Sequence, residues 1–147
     1  MAKFSYKMQN ILNIKYKLEE QAKSDFSLAM NRLKKEEEEL QKIKDDIIKY
    51  QDIIRENGNG SINVRELLQC TNAIEIKKEQ MKVQEKKISA ARINVEKARE
   101  KLNEVMIDRK THEILKEKAF DEFKQEIMQQ ENKEIDELIS FRGNNKQ

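Results

Sequence analysis

Proline and tryptophan are absent from this 147-residue sequence, cysteine and histidine occur once each, and glycine appears only three times. Each scarcity excludes something. Without proline, no residue forces a helix to break. A lone Cys70 forbids an internal disulfide and fits a reducing compartment, so a cytoplasmic location is expected. The single thiol and single imidazole, Cys70 and His112, would stand on the order of 60 Å apart on one helix, which excludes a thiol–imidazole pair within the chain. Thiols and imidazoles that occur once give no metal-ligand spacing, and no glycine-rich phosphate loop is present. Aromatics make up 5% of the residues, too few to fill a large globular core. No apolar run approaches the roughly 18 residues of a membrane span, and the lysines near the N-terminus flank no apolar signal core. No enzyme, cofactor or metal is expected.

What is abundant is charge. Charged residues are 39% of the chain, yet 30 Lys and Arg against 28 Asp and Glu leave only +2. So balanced a surface forms no continuous phosphate-binding stripe, and nucleic acid is not an expected partner. A solvated helical surface is the natural reading of such a composition. Disorder is the competing one, but a disordered chain has no reason to keep a period.

The sequence keeps one. Ile74, Met81, Ile88, Val95 and Leu102 recur every seven residues, and Ala91, Ala98 and Val105 follow three places after the last three of them. This is the a/d seam of a coiled coil. Alanine at successive seam positions lets a partner helix approach closely. Earlier in the chain, Phe4, Met8, Ile11, Leu18, Ala22, Phe26, Ala29, Leu33, Leu40, Ile43, Ile47, Tyr50 and Ile54 form a second apolar series. The two successive steps of four at Leu18, Ala22 and Phe26 predict a stutter with local unwinding. Lys15 and Glu36 weaken this seam, and Arg109, His112 and Lys116 weaken the other. Glu19 with Lys23, Glu38 with Lys42 and Asp45 with Lys49 are i,i+4 pairs on a solvated face.

Between the two series lies Asn57-Gly58-Asn59-Gly60-Ser61, with Ser61 or Asn63 available as a cap and Glu66 in capping-box spacing from Asn63. The expected fold is therefore all-α: one domain over 1–147, a long antiparallel two-helix coiled-coil hairpin with the second helix longer than the first. The first helix is expected over about 3–56, the turn at 57–61, the second helix over about 63–141, and a tail at 142–147. With the bend at 57–60, residue i would lie opposite roughly 118 − i, bringing Ala29 near Ser89 and Met8 near Lys110. From about Lys116 onward the second helix would have no partner.

That overhang carries Ala119, Phe120, Phe123 and Ile127 at helical spacing, then Ile135, Leu138, Ile139 and Phe141. Between Asp121 and Glu137 there are seven acids and two lysines, whereas the first eighteen residues hold four lysines and no acid. An unpaired apolar stripe with lopsided charge is the mark of a docking end. Fraying would explain the charges but not the phenylalanines. The residues thus support an interaction element that binds other proteins at its ends; a coiled-coil spacer, or more distantly a holdase chaperone, are the alternatives.

The opening stretch Phe4-Ser5-Tyr6-Lys7-Met8-Gln9-Asn10-Ile11-Leu12-Asn13-Ile14 resembles the start of the FliJ family of flagellar export proteins. Asn132-Lys133-Glu134-Ile135 followed by Asp136-Glu137-Leu138 looks like that family's late Asp-Glu motif. Length, mid-chain bend and glycine-containing turn are similar too. The resemblance implies a non-enzymatic, monomeric component of the flagellar type III export apparatus, cytoplasmic and held at the inner membrane through its partners. It implies a hairpin similar to the central shaft of the rotary F-type ATPase, with the end that holds both termini inside the hexameric ring of the export ATPase. Phe4, Tyr6, Met8, Phe120, Phe123 and Ile127 would make that contact. A face early in the second helix, here Leu67, Ala73, Ile74 and Met81, would meet the cytoplasmic domain of the export gate membrane protein. Export chaperones are further implied partners.

Overall fold

A computed structural model describes residues 3–57 and 63–145, and these hold two helices, α1 (Gln9–Asn57) and α2 (Val64–Asn145). Gly58, Asn59, Gly60 and Ser61 of the expected turn lie outside the described residues. The cap of α2 is Asn63. Its side-chain oxygen accepts from the backbone N–H groups of Arg65 (3.2 Å) and Glu66 (3.4 Å), and its carbonyl accepts from Leu67 (3.1 Å). Two of the otherwise orphaned first-turn donors are thereby satisfied.

Both outer ends depart from expectation. The first helix begins at Gln9, where the apolar spacing placed its start near Phe4. The Tyr6 carbonyl accepts from Gln9 N–H (3.1 Å) and that of Met8 from Leu12 N–H (3.1 Å), closing the first turn there. At the other end α2 continues through the expected tail to Asn145, with Arg142 in its last turn, where a cation complements the helix dipole.

The chain divides into two compact units, Gln21–Leu102 and Met1–Glu20 with Asn103–Gln147. Within each unit, residues of α1 meet residues of α2 in antiparallel order.

In the Gln21–Leu102 unit the core is the expected seam. Ala22, Ile43, Ile47, Cys70, Ile74, Ile88, Ala91 and Val95 are buried, and Tyr50, Ile54 and Met81 pack against Ile43, Ile47 and Ile74. Cys70 behaves as a small apolar residue. Polar side chains that interrupt the seam find partners across it. Gln84 Nε2 donates to the Glu36 carbonyl (2.8 Å) and carboxylate (2.5 Å), and Lys77 Nζ lies 3.1 Å from Asp46. Arg99 sits 5.8 Å from the Phe26 ring centroid, a cation over an aromatic face.

In the unit formed by the chain ends, Leu12 is the most deeply buried side chain, 1% exposed, and Val105 lies in the seam with it. No stutter is present. Inward-facing residues of α1 step 12, 15, 19, 22, 26, 29 in strict alternation of three and four. Leu18 is 46% exposed and Glu19 only 5%, the reverse of what hydrophobicity alone dictates. The cause is Arg109, whose Nε (2.6 Å) and Nη2 (3.1 Å) both donate to the Glu19 carboxylate. A bidentate charge pair satisfies the carboxylate, so the regular coil need not distort to bring Leu18 inside.

The expected register is also shifted. Phe26 meets Arg99, so Ala29 is level with Glu96, not Ser89; Phe4 meets Phe120 and Tyr16 meets Glu113, so Met8, between them, faces a residue later than Lys110. The expected register takes residues 57–60 as the centre of the bend. Since α1 ends at Asn57 and α2 begins at Val64, the centre lies later, and every residue faces a later partner.

Candidate interaction surfaces

Residues 3–8 precede α1 and lie against α2. The Phe4 ring stands edge-on to Phe120 with centroids 5.0 Å apart and an interplanar angle of 66°, and lies 5.4 Å from Phe123 at 50°. Lys124 Nζ is 4.4 Å from the centroid of Phe120. Of the six residues expected at the ring-binding end, Phe4, Tyr6, Phe123 and Ile127 are half-buried while Met8 and Phe120 are exposed. The structure thus brings Phe4, Phe120 and Phe123 into one aromatic cluster. It also shortens the bare part of α2: the stretch without cover begins after Ile127, not at Lys116. On this arm Met128, Ile135, Leu138, Ile139 and Phe141 are all exposed among predominantly acidic neighbours.

Behind the aromatic cluster the seam is polar. Besides Glu19, Arg109 reaches Glu113 (3.0 Å), and the Tyr16 hydroxyl donates to the same Glu113 carboxylate. Lys15 Nζ lies 2.7 Å from Asp108, and His112 Nε2 lies 3.5 Å from Asp108. These contacts move the titrations in definite directions. The Tyr16 hydrogen bond, followed by Arg109, holds the Glu113 carboxyl below its ordinary value. The Lys15 ammonium does the same for Asp108. Tyr16 itself is pushed up, chiefly because its proton is shared with Glu113. Arg109 is raised by Glu19 first, and stays charged at any pH the fold meets. By apolar spacing alone Arg109 is a packing liability and Glu19 a surface residue. The signal that could have found the pair was the strict heptad itself, which puts both residues in the seam.

The gate-facing expectation divides. Ile74 is 9% exposed and belongs to the core with Ile43 and Ile47; Met81 packs on that core, and Leu67 and Ala73 are half-buried. The exposed apolar residues of the same stretch are Leu68, Ile76 and Val83. Ile76 and Val83 line a groove of about 750 Å³ with Ile43, Glu36, Lys35 and Lys87. They lie seven residues apart on an exposed flank of α2 beside α1, a second periodicity under the stronger seam pattern.

Among the described residues no group of three or more His, Cys, Asp or Glu could hold a metal ion. Nor is any helix among them long and apolar enough to cross a membrane. The described residues form a two-helix antiparallel coiled-coil hairpin whose candidate surfaces are apolar contacts rimmed by charge. Over residues 4–147 the sequence matches the family described as Flagellar FliJ protein, and the chain belongs to that family. It is accordingly a component of the flagellar type III export apparatus. Among solved structures, the chain resembles a YscO homologue, CT670 from Chlamydia trachomatis, with 22% identity and a TM-score of 0.53. That likeness covers 92% of this chain and 93% of the other, and it concerns the fold. Among curated proteins no sequence matches the chain.

Proposed function

We propose that the chain is a non-enzymatic coupling element that docks as a monomeric central stalk in the hexameric ring of the flagellar export ATPase. The observation that carries this reading is the bare arm of α2. Five exposed apolar side chains, Met128 to Phe141, stand on an acidic helix continuous with the Phe120 and Phe123 pair. An apolar stripe on a charged helix has no reason to remain in water unless a partner covers it. Phe120, Phe123 and Ile127 form the root of the docking surface, and the segment that holds Phe4, Tyr6 and Met8 lies over that root. Binding free energy is the means of action: a stalk that prefers some ring conformations shifts the populations of all of them.

The contact with the export gate falls to the exposed flank of early α2. Ile76 and Val83 supply its exposed apolar surface, Leu67 and Ala73 its edge, and the buried Ile74 and half-buried Met81 hold that face in place. Linking ring and gate through one chain would couple nucleotide hydrolysis to substrate entry, and export chaperones would meet the same cytoplasmic element at the inner membrane. The test is calorimetric titration of purified export ATPase with the full chain and with the Phe120→Ala, Phe123→Ala double variant. The double variant is expected to bind at least tenfold more weakly with its helical circular dichroism retained. Equal affinity, or loss of helicity, would show that the pair is core and not a docking surface.

A further inference from the structure

The segment before α1 is placed where a partner would be. Residues 3–8 are not helical, and the backbone hydrogen bonds of Tyr6 and Met8 go to α1, none of them to α2. The ring contact they make with α2 is Phe4 seated on Phe120 and Phe123, with Tyr6 half-buried two residues on. Lys3, Ser5 and Lys7, which alternate with Phe4 and Tyr6, are exposed, so the segment faces the helix with one side only. Phe4 itself stays half-exposed. Edge-to-face aromatic pairs of this kind each shift an equilibrium by about two- to tenfold. Such a contact is strong enough to be populated and weak enough to be exchanged.

We infer that residues 3–8 are a displaceable strap, and that the notch formed by Phe120 and Phe123 is an aromatic socket which Phe4 fills until a partner's aromatic side chain takes its place. The seated ring defines what the socket accepts: a flat apolar group presented edge-on, with the Lys124 ammonium already over Phe120. The acidic arm beyond the socket favours a partner whose aromatic group is flanked by basic residues. Release of the strap also frees Lys3 and Lys7 from the tip and uncovers the apolar root of the arm. Closed, the strap lowers apparent affinity in proportion to the fraction of open molecules.

This inference rests on the docking reading above, and one experiment separates the two. Affinity for purified export ATPase is measured for the full chain, for Phe4→Ala, and for Phe120→Ala with Phe123→Ala. A strap predicts that Phe4→Ala binds about three- to tenfold more tightly, while loss of the two socket rings weakens binding. Amide exchange supplies a readout that needs no substitution. On binding, the Gln9 and Leu12 amides, held by Tyr6 and Met8, exchange faster as the strap leaves. If Phe4→Ala binds more weakly or unchanged, or if those amides gain protection in the complex, residues 3–8 are part of the docking surface and the strap is wrong. If the socket variant binds like the parent, the docking reading fails and the strap fails with it.

Discussion

Glu19 and Arg109 meet across the seam through two hydrogen bonds, at 2.6 and 3.1 Å, with the Glu19 carboxylate buried between the helices. This pair sets the register of the unit that carries the docking end. It does so because a buried charge without its partner is far more costly than a pair that is intact.

Removing one member is therefore expected to destabilise more than removing both. Glu19→Leu takes two of the three carboxylate hydrogen bonds from the Arg109 guanidinium, leaving it Glu113 alone, and lowers the urea midpoint. Glu19→Leu with Arg109→Leu packs like an ordinary seam layer and recovers the parental midpoint or exceeds it. Equal midpoints for the single variant and the parent would place the pair in solvent.

The absence of a stutter makes a second prediction, since Leu18, placed in the expected seam, is exposed and Leu12, outside that series, is buried. Leu12→Ala opens a cavity at the most buried side chain and is expected to cost about 2–5 kcal/mol. Leu18→Ala, on an exposed side chain, is expected to cost less than about 1 kcal/mol. Chemical denaturation of both variants checks the order, and a reversed order would restore the stutter.

Stability should fall at both ends of the pH scale. Asp108 and Glu113 have lowered folded-state pKa values, so their contribution is complete above the ordinary values of 3.8 and 4.5 and is lost as pH falls through the folded ones. Tyr16 is raised, so its contribution is complete below 10.0 and is lost as pH climbs through the folded value. Urea midpoints measured across pH should show a plateau with losses below about pH 4 and above about pH 10. Tyr16→Phe should flatten the alkaline limb.

On early α2, neighbouring residues have opposite duties. Ile74→Ala, in the core, is expected to cost about 2–5 kcal/mol of stability. Ile76→Glu with Val83→Glu, on the exposed groove, should leave the unfolding midpoint nearly unchanged and abolish binding to the cytoplasmic domain of the export gate. Retained gate binding would move the contact elsewhere.

Much of the fold is legible in the sequence, because the period of Ile74, Met81, Ile88 and Val95 leaves a coil little choice. The break at Asn57 and the cap at Asn63 follow from local chemistry. What pattern reading missed are positions where charge overrides hydrophobicity. Glu19 is inside and Leu18 outside because Arg109, ninety residues away, completes the carboxylate. Such a pairing appears only once the register is fixed, and the register depended on a bend placed a few residues early. Phe4 fits the helical spacing of the residues after it, so the sequence extends α1 over it. The chain instead turns the ring toward Phe120, a contact invisible without the pairing of the two ends. On the candidate gate face, Ile74 and Met81 dominate the pattern because one is core and the other packs on it, and the exposed Ile76 and Val83 stand out only once the coil is formed.

The central claim is that the end bearing Phe123 meets the export ATPase. A photo-crosslinking amino acid at Phe123, compared with one at Ile93 on the exposed side of the other unit, tests it in the assembled export apparatus. The account predicts an adduct with the ATPase from position 123 and none from position 93. No ATPase adduct at 123, or equal yields from both positions, would contradict it.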